Sequence, residues 1–66
     1  MRIVVNGEPR EVDDGLTVTG LLASVSLSAA RAAVEVNGRL VRRADHAATA
    51  LVAGDRVEVV TLVGGG

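Results

Sequence analysis

Arg2-Ile3-Val4-Val5-Asn6-Gly7-Glu8-Pro9-Arg10-Glu11-Val12 begins with a β-rich run, turns on Asn-Gly and returns. Asn-Gly is the strongest short-range signal for a type I′ hairpin, because both central residues of that turn take φ > 0. Glu8 to Val12 is then the returning strand. Pro9 has no N–H to give to a ladder, so this strand belongs at a sheet edge or is unpaired at that point. The same grammar recurs further along: Ala33-Val34-Glu35-Val36 alternates, Asn37-Gly38 turns, and Arg39-Leu40-Val41-Arg42 returns.

Between the hairpins, Asp13-Asp14-Gly15 is a turn cluster and Thr17 a helix N-cap. Val18, Leu21, Leu22 and Val25 follow at i, i+3, i+4 and i+7, one apolar stripe about two turns long. A helix this short is held by packing against a sheet, since isolated short helices are marginal in water. Gly20 inside it costs about 1 kcal/mol relative to Ala, and Ser24, Ser26 and Ser28 mark the exit. Beyond the second hairpin, Asp45 is placed to cap a single helical turn through Ala47-Ala48-Thr49-Ala50. Leu51 and Val52 lead into an Ala53-Gly54-Asp55 turn, and Arg56 to Val63 forms the last strand before Gly64-Gly65-Gly66. Hairpin, helix, hairpin, short helical turn, strand is the β-grasp (ubiquitin-like) order, α+β in class. It implies a mixed sheet of four to five strands packed against one main helix. The first and last strands are the most continuously apolar, which places them side by side at the centre. Residues 1–63 form the domain and residues 64–66 a flexible glycine tail.

With 66 residues the chain forms one small domain. It has no Phe, Trp or Tyr, so Val, Leu, Ile and Ala build the core, and no deep substrate pocket is expected. Cysteine is absent, which removes disulfides, thiolate nucleophiles and Cys-based metal sites. His46 is the only histidine, and it reads as a surface or helix-end residue rather than half of a metal site. Asp13-Asp14 reads as a solvated acidic turn and Arg42-Arg43 as a pair serving solubility on an edge strand. A net charge of −1 and a pI near 5.6 argue against nucleic-acid binding through a broad basic surface. No apolar run is long enough to span a bilayer, and the opening residues read as a strand rather than a signal peptide. A soluble cytoplasmic protein with no bound metal or cofactor is the expectation. All seven basic residues are Arg. One reading is codon bias toward GC-rich codons. A second reading is that a carrier with an activated C-terminus gains from having no lysine amine to acylate.

Met1-Arg2-Ile3-Val4-Val5-Asn6-Gly7, Val34-Glu35-Val36-Asn37-Gly38 and Gly54-Asp55-Arg56-Val57-Glu58-Val59-Val60, closed by glycines, together resemble the ThiS sulfur carriers of thiamine biosynthesis. The resemblance covers essentially the whole chain and implies the β-grasp fold. It also implies that a ThiF-type adenylyltransferase activates the C-terminal carboxylate with ATP. A sulfur donor such as a cysteine desulfurase supplies sulfur for a thiocarboxylate, and a ThiG-type thiazole synthase takes that sulfur. Gly65 and Gly66 match the family's terminal pair, whereas Gly64 departs slightly from it.

The residues suit that chemistry. A carboxylate is a poor electrophile until one oxygen becomes a good leaving group, as in an acyl adenylate, from which a sulfur nucleophile can displace AMP. The chain offers no credible general base or metal site, so the partner must supply catalysis and the chain itself is not an enzyme. Gly64, Gly65 and Gly66 lack Cβ and can thread a narrow partner site, presenting the Gly66 carboxylate. Alternation puts Val57, Val59 and Thr61 on one face of the last strand and Glu58, Val60 and Leu62 on the other. Glu58 should face solvent, so Val60, Leu62 and the following Val63 form an apolar docking patch beside the reactive end, unless Leu40 or Val41 covers it. Two alternatives stand beside thiamine: a carrier serving molybdopterin or cysteine synthesis, and a β-grasp interaction module without sulfur chemistry. Relatives of the first kind are usually longer, so 66 residues favours thiamine.

Overall fold

The computed structural model describes residues 1–62. Strands β1 (Arg2–Val5) and β2 (Glu8–Glu11) form the first hairpin, and α1 (Val18–Ser24) follows. A 3-10 turn at Ala29–Arg31 leads into β3 (Ala32–Val36) and β4 (Arg39–Val41); a second at Arg43–Asp45 precedes β5 (Arg56–Thr61). The strands form one sheet in the order β2-β1-β5-β3-β4. β1 runs parallel to β5, and the other neighbours are antiparallel. This is the mixed five-stranded β-grasp (ubiquitin-like) sheet that the order of elements implies, with the first and last strands adjacent and Pro9 on the outermost strand.

Both hairpins turn as expected. Asn6 and Gly7 have φ of +50° and +82°, and Asn37 and Gly38 have +52° and +82°, the left-handed pair a type I′ turn requires. Thr17 caps α1, its Oγ1 accepting the Gly20 N–H at 3.1 Å. The helix ends on Ser26 in the left-handed region (φ +58°), with Leu27 N–H donating to Leu22 O at 2.9 Å and Ser26 N–H to Ala23 O at 3.1 Å. That pair of bonds is a Schellman closure, a job usually given to glycine.

The helix stripe and the inner sheet face meet in an aliphatic core. Val18, Leu21 and Leu22 pack with Ile3, Val5, Ala32, Val34, Leu51 and Val57. Val25 sits half-buried at the helix end. No helix among the described residues is long and apolar enough to cross a membrane.

Three expectations need correction. The helical turn placed over Ala47–Ala50 forms earlier, at Arg43–Asp45. Asp45 does not cap a following turn: its carboxylate is 3.1 Å from Arg42 Nε, and its carbonyl accepts the Thr49 hydroxyl at 2.7 Å. His46 is not on the surface. It ends that 3-10 turn with 3% exposure, and its Nε2 lies 3.1 Å from Val41 O. A carbonyl only accepts, so Nε2 donates to it, and Nδ1 is buried without a partner among the described residues. The last strand stops at Thr61, although Leu62 N–H still donates to Arg31 O at 2.7 Å.

Candidate functional site

β5 carries the site because everything that holds it leaves one of its faces bare. Its inner face is fixed by Val57, 1% exposed, against the core. The main-chain bonds to β1 and β3 account for its edges. Side-chain amides add to these at two points. Asn6 Oδ1 accepts Val59 N–H at 2.7 Å while its Nδ2 donates to Val59 O at 3.2 Å. Asn37 Oδ1 accepts Arg56 N–H at 2.9 Å, and its Nδ2 donates to Asp55 Oδ1 at 3.0 Å. Asp55 is buried, and its second oxygen accepts Val52 N–H at 2.9 Å.

The outer face is open. Val60 is 57% exposed and Leu62 47%, as alternation along the strand requires. Register places Ala33 opposite Val60 and Glu35 opposite Glu58, with Leu40 across from Glu35 on the next strand. Leu40 does not cover the patch; at 66% exposed it shares the face. The outer face therefore shows Leu40, Val60 and Leu62 around half-buried Ala33, bordered by two glutamates that face one another. Like charges directly opposite across strands are mildly destabilising, and among the described residues neither glutamate has an ion-pair partner. Sequence reasoning singled out Val60 and Leu62 but assigned Leu40 only as a possible cover. The alternation of Arg39-Leu40-Val41 was the signal that could have placed it outward.

Val63, named in the same patch, and Gly64, Gly65 and Gly66, the predicted reactive tail, lie outside the described residues. Under the inner side of β5 a hollow of about 340 Å³ is lined by Val5, Leu21, Val25, Leu27, Val59 and Thr61, with Glu8 and Arg10 among its polar residues. Its lining contains no histidine. No group of three or more His, Cys, Asp or Glu side chains among the described residues is arranged to hold a metal ion. Arg42 and Asp45 pair with each other in solvent, and Asp14 lies 3.2 Å from the Met1 ammonium. What this surface offers is an exposed apolar face on the strand that runs toward the glycines.

Comparison with known proteins bears on what docks there. The model of the ThiS family matches residues 3–66. Thiazole synthases of Paramagnetospirillum magneticum and Magnetococcus marinus are 36% and 39% identical to the chain over 66 residues. All of the chain is matched in both, yet it spans only 20% of each of those proteins. The crystal structure of the thiamine biosynthesis protein ThiS from Geobacter metallireducens superposes with a TM-score of 0.84 at 39% identity, covering 100% of both chains.

Proposed function

The chain belongs to the ThiS family, and from that membership we propose that it is a sulfur carrier of thiamine biosynthesis whose working group is the Gly66 carboxylate. The observation that carries this reading is the bare apolar face of Val60 and Leu62 on the strand leading to the glycines. A face of this kind, rimmed by two exposed glutamates, suits a partner surface that is apolar with basic groups around it. Docking there delivers Gly64, Gly65 and Gly66 into the partner's site, with Val63 completing the patch.

A ThiF-type adenylyltransferase supplies ATP and the catalytic groups. A carboxylate oxygen attacks the α-phosphorus, pyrophosphate leaves, and the acyl carbon becomes open to a sulfur nucleophile. The persulfide of a donor such as a cysteine desulfurase attacks that carbon and AMP leaves; a thiol then cleaves the resulting acyl disulfide, becoming a disulfide itself, and the freed thiocarboxylate goes to a ThiG-type thiazole synthase. The chain is thus a cytoplasmic protein co-substrate rather than an enzyme. Its part is to hold the tail out, present the docking face and offer a glycine carbonyl without a Cβ to hinder approach. Thiazole is favoured as the destination because two proteins named thiazole synthase each contain a stretch similar to this whole chain.

Intact mass spectrometry of the chain from its native cell tests the proposal. A species heavier by the exchange of one oxygen for sulfur, and lost when Gly66 is deleted, is the expected result. An unmodified carboxylate, even with ATP, an adenylating partner and a sulfur source supplied, would overturn it. The docking face has its own check. Leu62→Asp should weaken adenylating-partner binding at least tenfold in a titration while leaving the thermal unfolding midpoint unchanged, and unchanged affinity removes the patch from the account.

A further inference from the structure

We infer that the folded chain is insulated against its own amines, so that an activated Gly66 acyl group is left for the nucleophiles of its partners; this rests on the carrier reading above. The 66 residues contain seven arginines, no lysine and no cysteine. Guanidinium remains protonated at any working pH and does not compete as a nucleophile. The one amine these residues carry is the α-amino group of Met1, and the fold ties it down. It donates to Val12 O at 2.7 Å, and Val12 N–H donates back to Met1 O at 2.8 Å, so the amine is built into the end of the β1–β2 ladder. Asp14 adds an ion pair at 3.2 Å, a small contribution because that carboxylate is 91% exposed.

Topology then separates this amine from the tail. β1 and β5 are parallel neighbours with Val4 level with Arg56. Met1 lies three residues below that level and Leu62 six above it. Nine steps at ~3.3 Å put them about 30 Å apart. Four residues beyond Leu62 reach at most about 14 Å when fully extended. Head-to-tail attack within one folded chain falls short by roughly half the distance.

The reaction avoided is amide formation. An amine lone pair attacks the acyl carbon, a C–N bond forms and the bond to the leaving group breaks. AMP departs with its electron pair and the amine sheds one proton to solvent. The amide product is inert to sulfur donors, so each such event would remove a carrier from use. Where an amine would do the most harm can be read from the structure. Arg31 O accepts the Leu62 N–H at 2.7 Å, and the exposed Arg31 side chain therefore lies within reach of the tail.

The test uses the full chain carrying a Gly66 thioester, made by intein cleavage with 2-mercaptoethanesulfonate. It needs no adenylating partner, so its outcome is independent of whether the native chain is activated in the cell. At micromolar concentration and mildly alkaline pH, the folded wild-type thioester should be lost by hydrolysis alone. Arg31→Lys should form a cyclic amide, lighter than the free acid by one water, at least tenfold faster than any amide in the wild type and independently of concentration. Arg2→Lys, eight steps from Leu62, should form none. Amide formation by the folded wild type at the Arg31→Lys rate, its absence in Arg31→Lys, or equal cyclisation in Arg2→Lys would each overturn the inference.

Discussion

At Asn6-Gly7 the chain turns with φ of +50° and +82°, and at Asn37-Gly38 with +52° and +82°. Backbone and residue types are the same, and both asparagines send their amides to β5. The surroundings differ. Asn6 bonds only the main chain of Val59, in solvent, halfway along the strand and next to Val60. Asn37 bonds Arg56 N–H at the start of the strand and the buried carboxylate of Asp55, which in turn holds Val52 N–H. The dipeptide therefore sets the turn, while the neighbours set what the turn is worth. The second turn anchors the root of β5 in a closed polar network. The first steadies the half of β5 that presents the bare apolar face proposed for docking.

Asp55→Ala should break the comparison most severely. It removes the buried carboxylate that accepts both Val52 N–H and the Asn37 amide, two charge-assisted hydrogen bonds, a loss of about 3 kcal/mol. A domain of this size has roughly 3–10 kcal/mol in all, so urea unfolding should show a large fall in midpoint. A change under about 1 kcal/mol would mean the network is not closed.

Asn37→Gly and Asn6→Gly sharpen it, because glycine keeps φ > 0 free of strain and removes only the side chain. The cost at Asn37 should be about 2 kcal/mol, since a buried carboxylate oxygen loses its donor. At Asn6 it should be about 1 kcal/mol, because water can replace an exposed amide. Equal costs would show that burial of Asp55 contributes nothing. Asn6→Gly has a second signature: Val59 N–H loses its acceptor and should exchange faster with solvent, whereas Val57 N–H, nearer the strand's root, should be unaffected.

Much of this was legible in the sequence, and the pattern of what was not has one cause. The turns, the Thr17 cap, the helix stripe and the outward face of Val60 and Leu62 are local matters of dihedral preference and periodicity, complete within a few residues. Asp55 reads locally as a turn residue; its role depends on Asn37, eighteen positions away. His46 reads as a surface or helix-end residue; it does end a 3-10 turn, and only the tertiary fold buries it, with Nε2 3.1 Å from Val41 O. Leu40 belongs to the bare outer face because the β3–β4 register sets it opposite Glu35. Ser26 was legible as part of the helix exit, but a serine does not by residue type announce the left-handed φ that the Schellman bonds require. The glycines, read as a reactive tail from residue type alone, lie outside the described residues.

The smallest expected effect is a difference close to zero. At Gly7 and Gly38 an added Cβ would meet nothing within 4 Å, and φ is +82° at both. Gly7→Ala and Gly38→Ala should therefore each cost about 1–2 kcal/mol, the ordinary penalty for a side chain in the left-handed region. The two costs should agree within about 0.5 kcal/mol, the usual margin for independent sites. If Gly38→Ala proved far more costly, the tightness of the second turn would reside in its backbone rather than in Asn37 and Asp55. Agreement, set beside unequal asparagine costs, locates the whole difference between the turns in two side chains and the carboxylate that one of them meets.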